Sequence, residues 1–377
     1  KGNRSWFFDC TSSIWKDKKR WITEIPRLGV IGVSDWITEE AQKSFLKDAT
    51  IIKRIYNWID LQVFYPREEN VRGKYGVSTD KFSILCIGAY WTKDSFKFKN
   101  DNNFVQFKET VRDYDVFIIQ TTEPPVNERI MELLITIDAA KRASAKRITA
   151  VLPYFMYSRS DKKDQPRIPV TAKLFAQLIE AAGANRVLTC DLHNKAIQAY
   201  FNINCDVLTG ESLLEKYFDL KDIDNKVVVA TDAGSSKKAY KYAEHFNCPI
   251  ALVDKRRDGN DDRAIATSVI GDIKGKNALI FDDEVDTAGS IMETVEVCKK
   301  FGAKDVYVGC THGVLSGPAI ERLEKSEIKD FVMTNTIPLP KEKQIEKISV
   351  ISISELFGEA IKRIHTETSI GELFDAN

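Results

Sequence analysis

With 377 residues, the chain exceeds the size at which a single core stops growing, about 250–300 residues, so two or three domains are expected. Lys and Arg together number 55, as do Asp and Glu, so the formal charge is zero. That balance excludes a phosphate backbone or an acidic membrane face as the main partner, and any anion site must be local. No apolar run reaches the ~18 residues of a membrane span, and the scattered cysteines have neither zinc spacing nor a paired framework. The expectation is a cytoplasmic protein with buried free thiols and no nucleic-acid or membrane partner. The chain opens on Lys-Gly-Asn, as a trimmed piece would.

The first 95 residues show no clear alternation of strands and helices, and the polar run Phe96–Asn103 reads as a junction. From about Asp115 the pattern changes. Apolar runs of strand length recur at Val116–Ile119, Ile148–Leu152, Val187–Leu188, Val227–Ala230, Ile250–Val253, Ala278–Phe281 and Val306–Gly309. Amphipathic stretches such as Ala172–Ala182 and Ser290–Phe301 lie between them, closed by Gly183 and Gly302. Runs apolar on both faces and joined by helices predict an α/β fold with doubly wound parallel sheets. Ligands in such sheets bind past the carboxyl ends of the strands. The segments Asp115–Tyr154 and Asn277–Gly313 share one pattern of strand, polar loop, Ile-Met-Glu helix, Ala-Lys turn and strand, which implies two related domains. The expected divisions are 1–95, 96–206, 207–351, and a C-terminal helix and tail over 352–377.

The second copy carries the chemistry. In Phe281-Asp-Asp-Glu-Val-Asp-Thr-Ala-Gly-Ser290 a buried strand runs into acids and then a small polar turn. Asp282 and Asp283, at the strand end, can accept hydrogen bonds from a vicinal diol. Asp286, Thr287, Ala288, Gly289 and Ser290 form a turn small enough for backbone N–H groups to approach an anion, with a helix N-terminus behind them. Carboxylates for a sugar beside a nest for phosphate describe a phosphorylated pentose. An exposed acidic N-cap would explain one aspartate but not the whole pattern. Elsewhere, Asp191 and His193 follow a strand in "VLTCDLHNKAIQ", a fair setting for ligands. Asp232, Ala233 and Gly234 open a turn suited to diphosphate oxygens. Lys255 and Arg257 stand before a Gly/Asp-rich stretch expected to be a mobile loop. No Ser/His/Asp or Cys/His triad is visible.

The acidic turn resembles the phosphoribosyl-binding motif of type I phosphoribosyltransferase folds. From about residue 96 onward, the segments "VFIIQTTEPPVNERIMELL", "RASAKRITAVLPYFMYSRSDKKDQPRIPVTAKL", "ALVDKRR", "SGPAIERL" and "TNTIPLP" resemble the ribose-phosphate diphosphokinases, the 5-phosphoribosyl-1-diphosphate (PRPP) synthases. That resemblance implies two type I phosphoribosyltransferase-like domains. It implies transfer of the diphosphoryl group of Mg–ATP to O1 of ribose 5-phosphate, giving PRPP and AMP. By the same resemblance, Mg²⁺ is the cofactor, held near Asp191, His193 and Asp232. Lys255, Arg257 and His193 act in catalysis, and Phe98, Asn100, Arg159 and Asp161 bind ATP. Asp232 to Gly234, with Asp282, Asp283 and Asp286 to Ser290, take the diphosphate and the ribose 5-phosphate. A homo-oligomer is implied, a hexamer built from dimers, with the adenine loop supplied by a neighbouring subunit.

Four departures stand out: Asn102 where the family has Glu, Ser160 where it has Gln, Pro166 where it has Ser, and Ser235 where it has a second glycine. Residues 1–93 instead resemble a fragment of a GT-B-type glycosyltransferase, through "NWID" and "FYP" (Asn57–Asp60 and Phe64–Pro66), which stops short of a nucleotide-sugar pocket. The run Phe82–Ala89 is a candidate to replace the family's missing first strand and cover its sheet edge. The alternative function is a non-catalytic, PRPP-synthase-associated regulatory subunit. A phosphoribosyltransferase that consumes PRPP is a third, opposed by the "DLH" and "DKRR" segments.

Overall fold

The computed structural model describes residues 29–32, 51–54, 82–87, 102–107, 110–121, 123–257 and 264–373. Strands β1 (Gly29–Gly32) and β2 (Ile51–Arg54) pair in parallel as a separate two-stranded sheet. The remainder of the glycosyltransferase-like stretch before β3 lies outside the described residues.

The first large sheet holds β3 (Phe82–Ile87), β4 (Asp115–Gln120), β5 (Arg147–Leu152), β6 (Arg186–Cys190) and β7 (Asn204–Leu208), parallel and side by side in chain order. A sheet that always advances the same way through right-handed crossovers puts its connecting helices on one face. Helices α1 (Val126–Arg142) and α2 (Thr171–Ala182) accordingly share a face, where Leu133, Ile137, Phe175 and Ile179 belong to one core with Val116, Ile118, Ala150 and Val187. Gly183 closes α2 in the left-handed region, at φ 119°, and the N–H groups of Gly183 and Ala184 return to the carbonyls of Glu180 and Ile179.

Helix α3 (Glu211–Asp219) leads into the second sheet, ordered β10-β9-β8-β11-β12-β13-β14. Its strands are β8 (Lys226–Ala230), β9 (Ile250–Arg257), β10 (Ala264–Ile270), β11 (Asn277–Val285), β12 (Val306–Gly313), β13 (Ile328–Thr334) and β14 (Ile348–Ile351). All pairs are parallel except β9 with β10. The chain leaves β8 in one direction and β11 in the other, so helix α4 (Ser236–His245) and helices α5 (Gly289–Lys300) and α6 (Ala319–Lys325) cover opposite faces. One core joins Leu214, Phe218 and Tyr242 to Phe281, with the Tyr242 and Phe281 rings stacked at 3.7 Å. The other joins Ile291, Val295 and Leu323 to Ile280, Val308 and Phe331.

The bare face of the first sheet is covered from the far end of the chain. Helix α7 (Ser354–His365) and the residue before it bury Ile353, Phe357, Ala360, Ile361 and Ile364 against Phe117, Ile119, Val151, Leu188, Cys190 and Leu208. The first sheet therefore takes β3 from ahead of the expected division at residue 95, and a helix from beyond residue 352. β3 pairs with β4 from Phe82 opposite Asp115 to Ile87 opposite Gln120, the edge position expected for it.

Two expected strands run longer than their apolar cores, because a partner continues to pair with them. β9 extends through Lys255 to Arg257 because β10 folds back on it, with Arg257 opposite Ala264. Immediately after β10, Gly271 has φ 109°, and a Cβ there would lie 2.8 Å from the Ile250 carbonyl oxygen. Gly271→Ala is expected to lower stability by roughly 1–3 kcal/mol, read from the urea midpoint. An unchanged midpoint would mean that this corner relaxes freely.

Candidate active site between the two sheets

Strands β8 and β11 are neighbours whose chains then depart in opposite directions, which makes their carboxyl ends a topological switch point. Their pairing stops at Ile280 opposite Val229, whereas β11 continues along β12, with Asp282 opposite Cys310 and Glu284 opposite His312. The sequence reading ends the strand at Phe281, before the acids. The structure corrects this: Asp282, Asp283 and Glu284 are part of the strand, projecting beyond β8 on an edge that β8 no longer covers.

Two turns flank this edge. After β8, the Asp232 carboxylate accepts from the Ser235 N–H at 2.8 Å, and the Ser235 hydroxyl lies 3.1 Å from the Asp232 N–H, so Ser235 closes the turn that opens α4. Ser235 has φ −83°, which any residue adopts, so the turn requires no glycine there. After β11, the Asp286–Ser290 turn is tied down along its carbonyls. Ser316 donates to the Asp286 carbonyl through its N–H at 3.0 Å and to the Asp286 carboxylate through its hydroxyl. Arg322 donates to the Thr287 carbonyl at 2.8 Å. Ala288, at φ 59°, bends the chain into α5 in a conformation unusual for a residue with a side chain. The first N–H groups of a helix have no intrahelical acceptor, so this turn can receive an anion.

Asp283 and Asp282 respond oppositely to burial. Burial works to raise Asp283, but the His193 hydrogen bond and the Lys238 charge hold it well below the usual carboxylate range. Asp282 is pushed up to about 7 by burial, reinforced by its hydrogen bond and charge contact with Asp283. The pair thus keeps one proton between two carboxyls near neutral pH, and can both donate to and accept from a diol. A folded-state pKa near 7 against an ordinary 3.8 means the folded chain binds more protons between about pH 4 and 7, so stability falls as pH rises through that window. In the ligand-free chain with chelator, Asp282→Asn is expected to shrink the fall in thermal midpoint from pH 5 to pH 8. A fall as large as the parent's would contradict the assignment. Glu123, also pushed up to about 7 by burial, contributes the same sign in both proteins.

The first sheet faces this edge from its own carboxyl ends. His193 Nδ1 lies 2.9 Å from Asp283 Oδ2, and that hydrogen bond raises the His193 pKa. Asp191 Oδ2 accepts from the Gly210 N–H at 2.8 Å and from the Thr311 hydroxyl at 2.5 Å. Arg159 lies 3.9 Å from Asp286, a pair weakened by the exposure of the arginine. Burial raises Glu284, which accepts from the Tyr154 hydroxyl.

The predicted residues Asp191, His193, Arg159, Asp282, Asp283 and Asp286 are therefore brought together, with Asp232, Ala233 and Gly234 across the switch point. Asp161, expected at ATP, is buried in this ligand-free chain, and its carboxylate accepts from Asn194 at 2.6 Å, supporting the turn that carries His193. Ser160 serves the start of α2, accepting the Thr171 N–H through its hydroxyl and the Ala172 N–H through its carbonyl. The backbones of Lys255 and Arg257 lie in β9, next to β8; their side chains, the loop after them, and Phe98 and Asn100 are outside the described residues. Sequence reasoning missed Tyr154, Glu284, Thr311, His312 and Ser316, whose side-chain partners lie 24 or more residues away, where no local periodicity could reveal them.

Taken together, the fold and site define a two-domain α/β protein with an anion-accepting turn and paired carboxyls at a switch point, closed by a second domain. The family model for the N-terminal domain of ribose phosphate pyrophosphokinase matches residues 90–183, and the phosphoribosyl synthetase-associated domain matches residues 262–375. The ribose-phosphate pyrophosphokinase of Clostridium acetobutylicum is 51% identical over 280 residues, covering 74% of this chain and 88% of that one. The ribose-phosphate pyrophosphokinase of Caldanaerobacter subterraneus subsp. tengcongensis is 53% identical over 271 residues, covering 72% and 85%. The crystal structure of phosphoribosylpyrophosphate synthetase from Mycobacterium smegmatis superposes with a TM-score of 0.68 at 39% identity, over 72% of this chain and 89% of that chain. The chain belongs to the ribose-phosphate pyrophosphokinase family.

Proposed function

We propose that the chain transfers the diphosphoryl group of ATP to O1 of ribose 5-phosphate, forming PRPP and AMP. The observation that carries this is the Asp283–His193 contact at 2.9 Å, which sets the carboxyl pair of the second sheet against the loop from β6 of the first. Family membership at about half identity supports it.

In this reading the Asp286–Ser290 turn takes the 5-phosphate, and Asp282 and Asp283 take the ribose hydroxyls. The Asp232–Gly234 turn takes the diphosphate in transit. O1 forms a bond to the β-phosphorus, the bond from that phosphorus to the α–β bridging oxygen breaks, AMP leaves, and the hydroxyl proton passes to solvent. Such chemistry depends on positioning and charge neutralisation, which falls to Arg159, Lys255 and Arg257. Phe98 and Asn100 would hold the adenine.

The donor set suits Mg²⁺. His193 uses Nδ1 on Asp283, which leaves Nε2 to face a ligand, and Asp191 and Asp232 each keep a second carboxylate oxygen. No cluster of three or more such side chains forms among the described residues, as suits an ion held mainly by phosphate oxygens and water. When bound there, Mg²⁺ would supply charge neutralisation on the polyphosphate.

The family's homo-oligomeric assembly and a cytoplasmic location belong to the same proposal. Among the described residues, no helix is long and apolar enough to cross a membrane. The test is AMP formation that requires both ribose 5-phosphate and Mg²⁺. Its absence at every Mg²⁺ concentration would overturn the proposal.

A further inference from the structure

His312 is the histidine buried in the seam between the two sheets, with 1% of its surface exposed. It stands on β12 and reaches into the other domain. Its Nε2 lies 3.1 Å from the Cys190 carbonyl oxygen and 3.0 Å from that of Asp191, and its Nδ1 lies 2.9 Å from the Thr336 hydroxyl. Two carbonyl acceptors at Nε2 decide the tautomer: Nε2 carries the proton and donates, while Nδ1 can accept from Thr336. The Tyr154 ring packs against the imidazole at 4.9 Å between centroids, and its hydroxyl continues to Glu284. Both ring nitrogens are thus engaged within the protein, so His312 has no nitrogen left for substrate or metal.

What His312 holds is a particular piece of backbone. Cys190 ends β6, and Asp191 follows with φ 35°, a left-handed conformation that is uncommon for a residue with a side chain, though aspartate is among those that adopt it most readily. This bend delivers His193, two residues on, to Asp283. On its side-chain edge the same residue is held by Gly210 and Thr311. The bend is therefore clamped by backbone and side chain, largely from β12.

We propose that His312 is a positioning residue for diphosphoryl transfer: its Nε2–H grips the Cys190 and Asp191 carbonyls and so fixes the bend that sets His193 against Asp283. The kinetic part of this rests on the proposed function; the structural part does not. A histidine that merely filled the core would be replaceable by any side chain of similar volume. A positioning histidine is replaceable only by one that restores the donor.

The test uses three full-length variants. In His312→Gln the amide reaches the position of Nε2 and donates; in His312→Asn it falls short; His312→Leu fills the space without a donor. The Leu and Asn variants are expected to lose about 10–100-fold in kcat, with KM for ribose 5-phosphate changed less than about twofold, and Gln to recover most of the loss. Hydrogen exchange of the amides at 191–194 should quicken in Leu and Asn and stay near the parent rate in Gln. The proposal is overturned if Gln and Leu are equally impaired. It is also overturned if exchange at 191–194 is unchanged in Leu, or if exchange rises evenly along β12 instead. A parent chain without activity would sink the proposed function, and the exchange measurement would still decide whether His312 holds the bend.

Discussion

Asparagine in place of Asp283 is expected to lower AMP formation from ATP and ribose 5-phosphate by about 10²–10³-fold, the usual scale for losing one preorganised electrostatic partner in a reactive site. The substitution keeps the volume and one acceptor oxygen, and removes the charge. Three consequences follow from the geometry. The His193 hydrogen bond at 2.9 Å loses its ionised partner. Asp282 stays raised by burial but loses the added push from a charged neighbour, and the two groups no longer share a proton between two carboxyls. The seam between the two domains keeps a neutral hydrogen bond where it had an ionic one. Steady-state kinetics over a range of ribose 5-phosphate concentrations checks this, with thermal melting to show that the variant is folded. Activity within threefold of the parent would remove Asp283 from the site.

Aspartate in place of Ile361 is expected to destabilise the chain by roughly 3–5 kcal/mol, the range found when a charge is left buried without a partner. Ile361 is 1% exposed, in the middle of α7 and within the core formed with the first sheet. A folded domain has only about 5–15 kcal/mol in hand, so much of the variant should be unfolded at moderate urea. The helix is also fixed at its end. Asp115 Oδ2 lies 2.9 Å from His365 Nδ1 and 2.5 Å from Arg147, which in turn donates to the Ile364 carbonyl at 3.0 Å. Because α7 lies on Leu188 and Cys190 of β6, losing it should release the loop that carries His193, and activity should fall with the folded fraction. A urea midpoint equal to the parent's would mean that α7 is not part of the first domain's core.

How legible this was depended on how locally each feature is encoded. Strands covered on both faces announce themselves as apolar runs, and β4, β5 and β11 could be read directly. Gly183 and Gly302 could be read as helix ends for the same reason: the left-handed cap is a local demand on one residue. Strand ends were less legible, since β11 continues through three acids only because β12 supports it, and β9 through its cations only because β10 folds back. Of the site, Asp282, Asp283, Asp191 and His193 were visible because acids and a histidine at the carboxyl ends of buried strands are chemically out of place. Asp161 stands in an equally conspicuous segment, and only the fold shows its carboxylate holding Asn194. Nothing in the residues around His312 or Tyr154 hints that their partners lie in the other domain. The covering of the first sheet by α7 was equally hidden, since the helix pattern carries no address.

The central claim is that the two facing sheets move a diphosphoryl group, not a single phosphoryl group, onto the sugar. Incubating the chain with ATP labelled at the β-phosphorus, ribose 5-phosphate and Mg²⁺, and then separating the products, tests this most directly. The account predicts that the label moves from ATP into PRPP while AMP appears unlabelled in equal amount; label found in ADP, or retained in ATP, would contradict it.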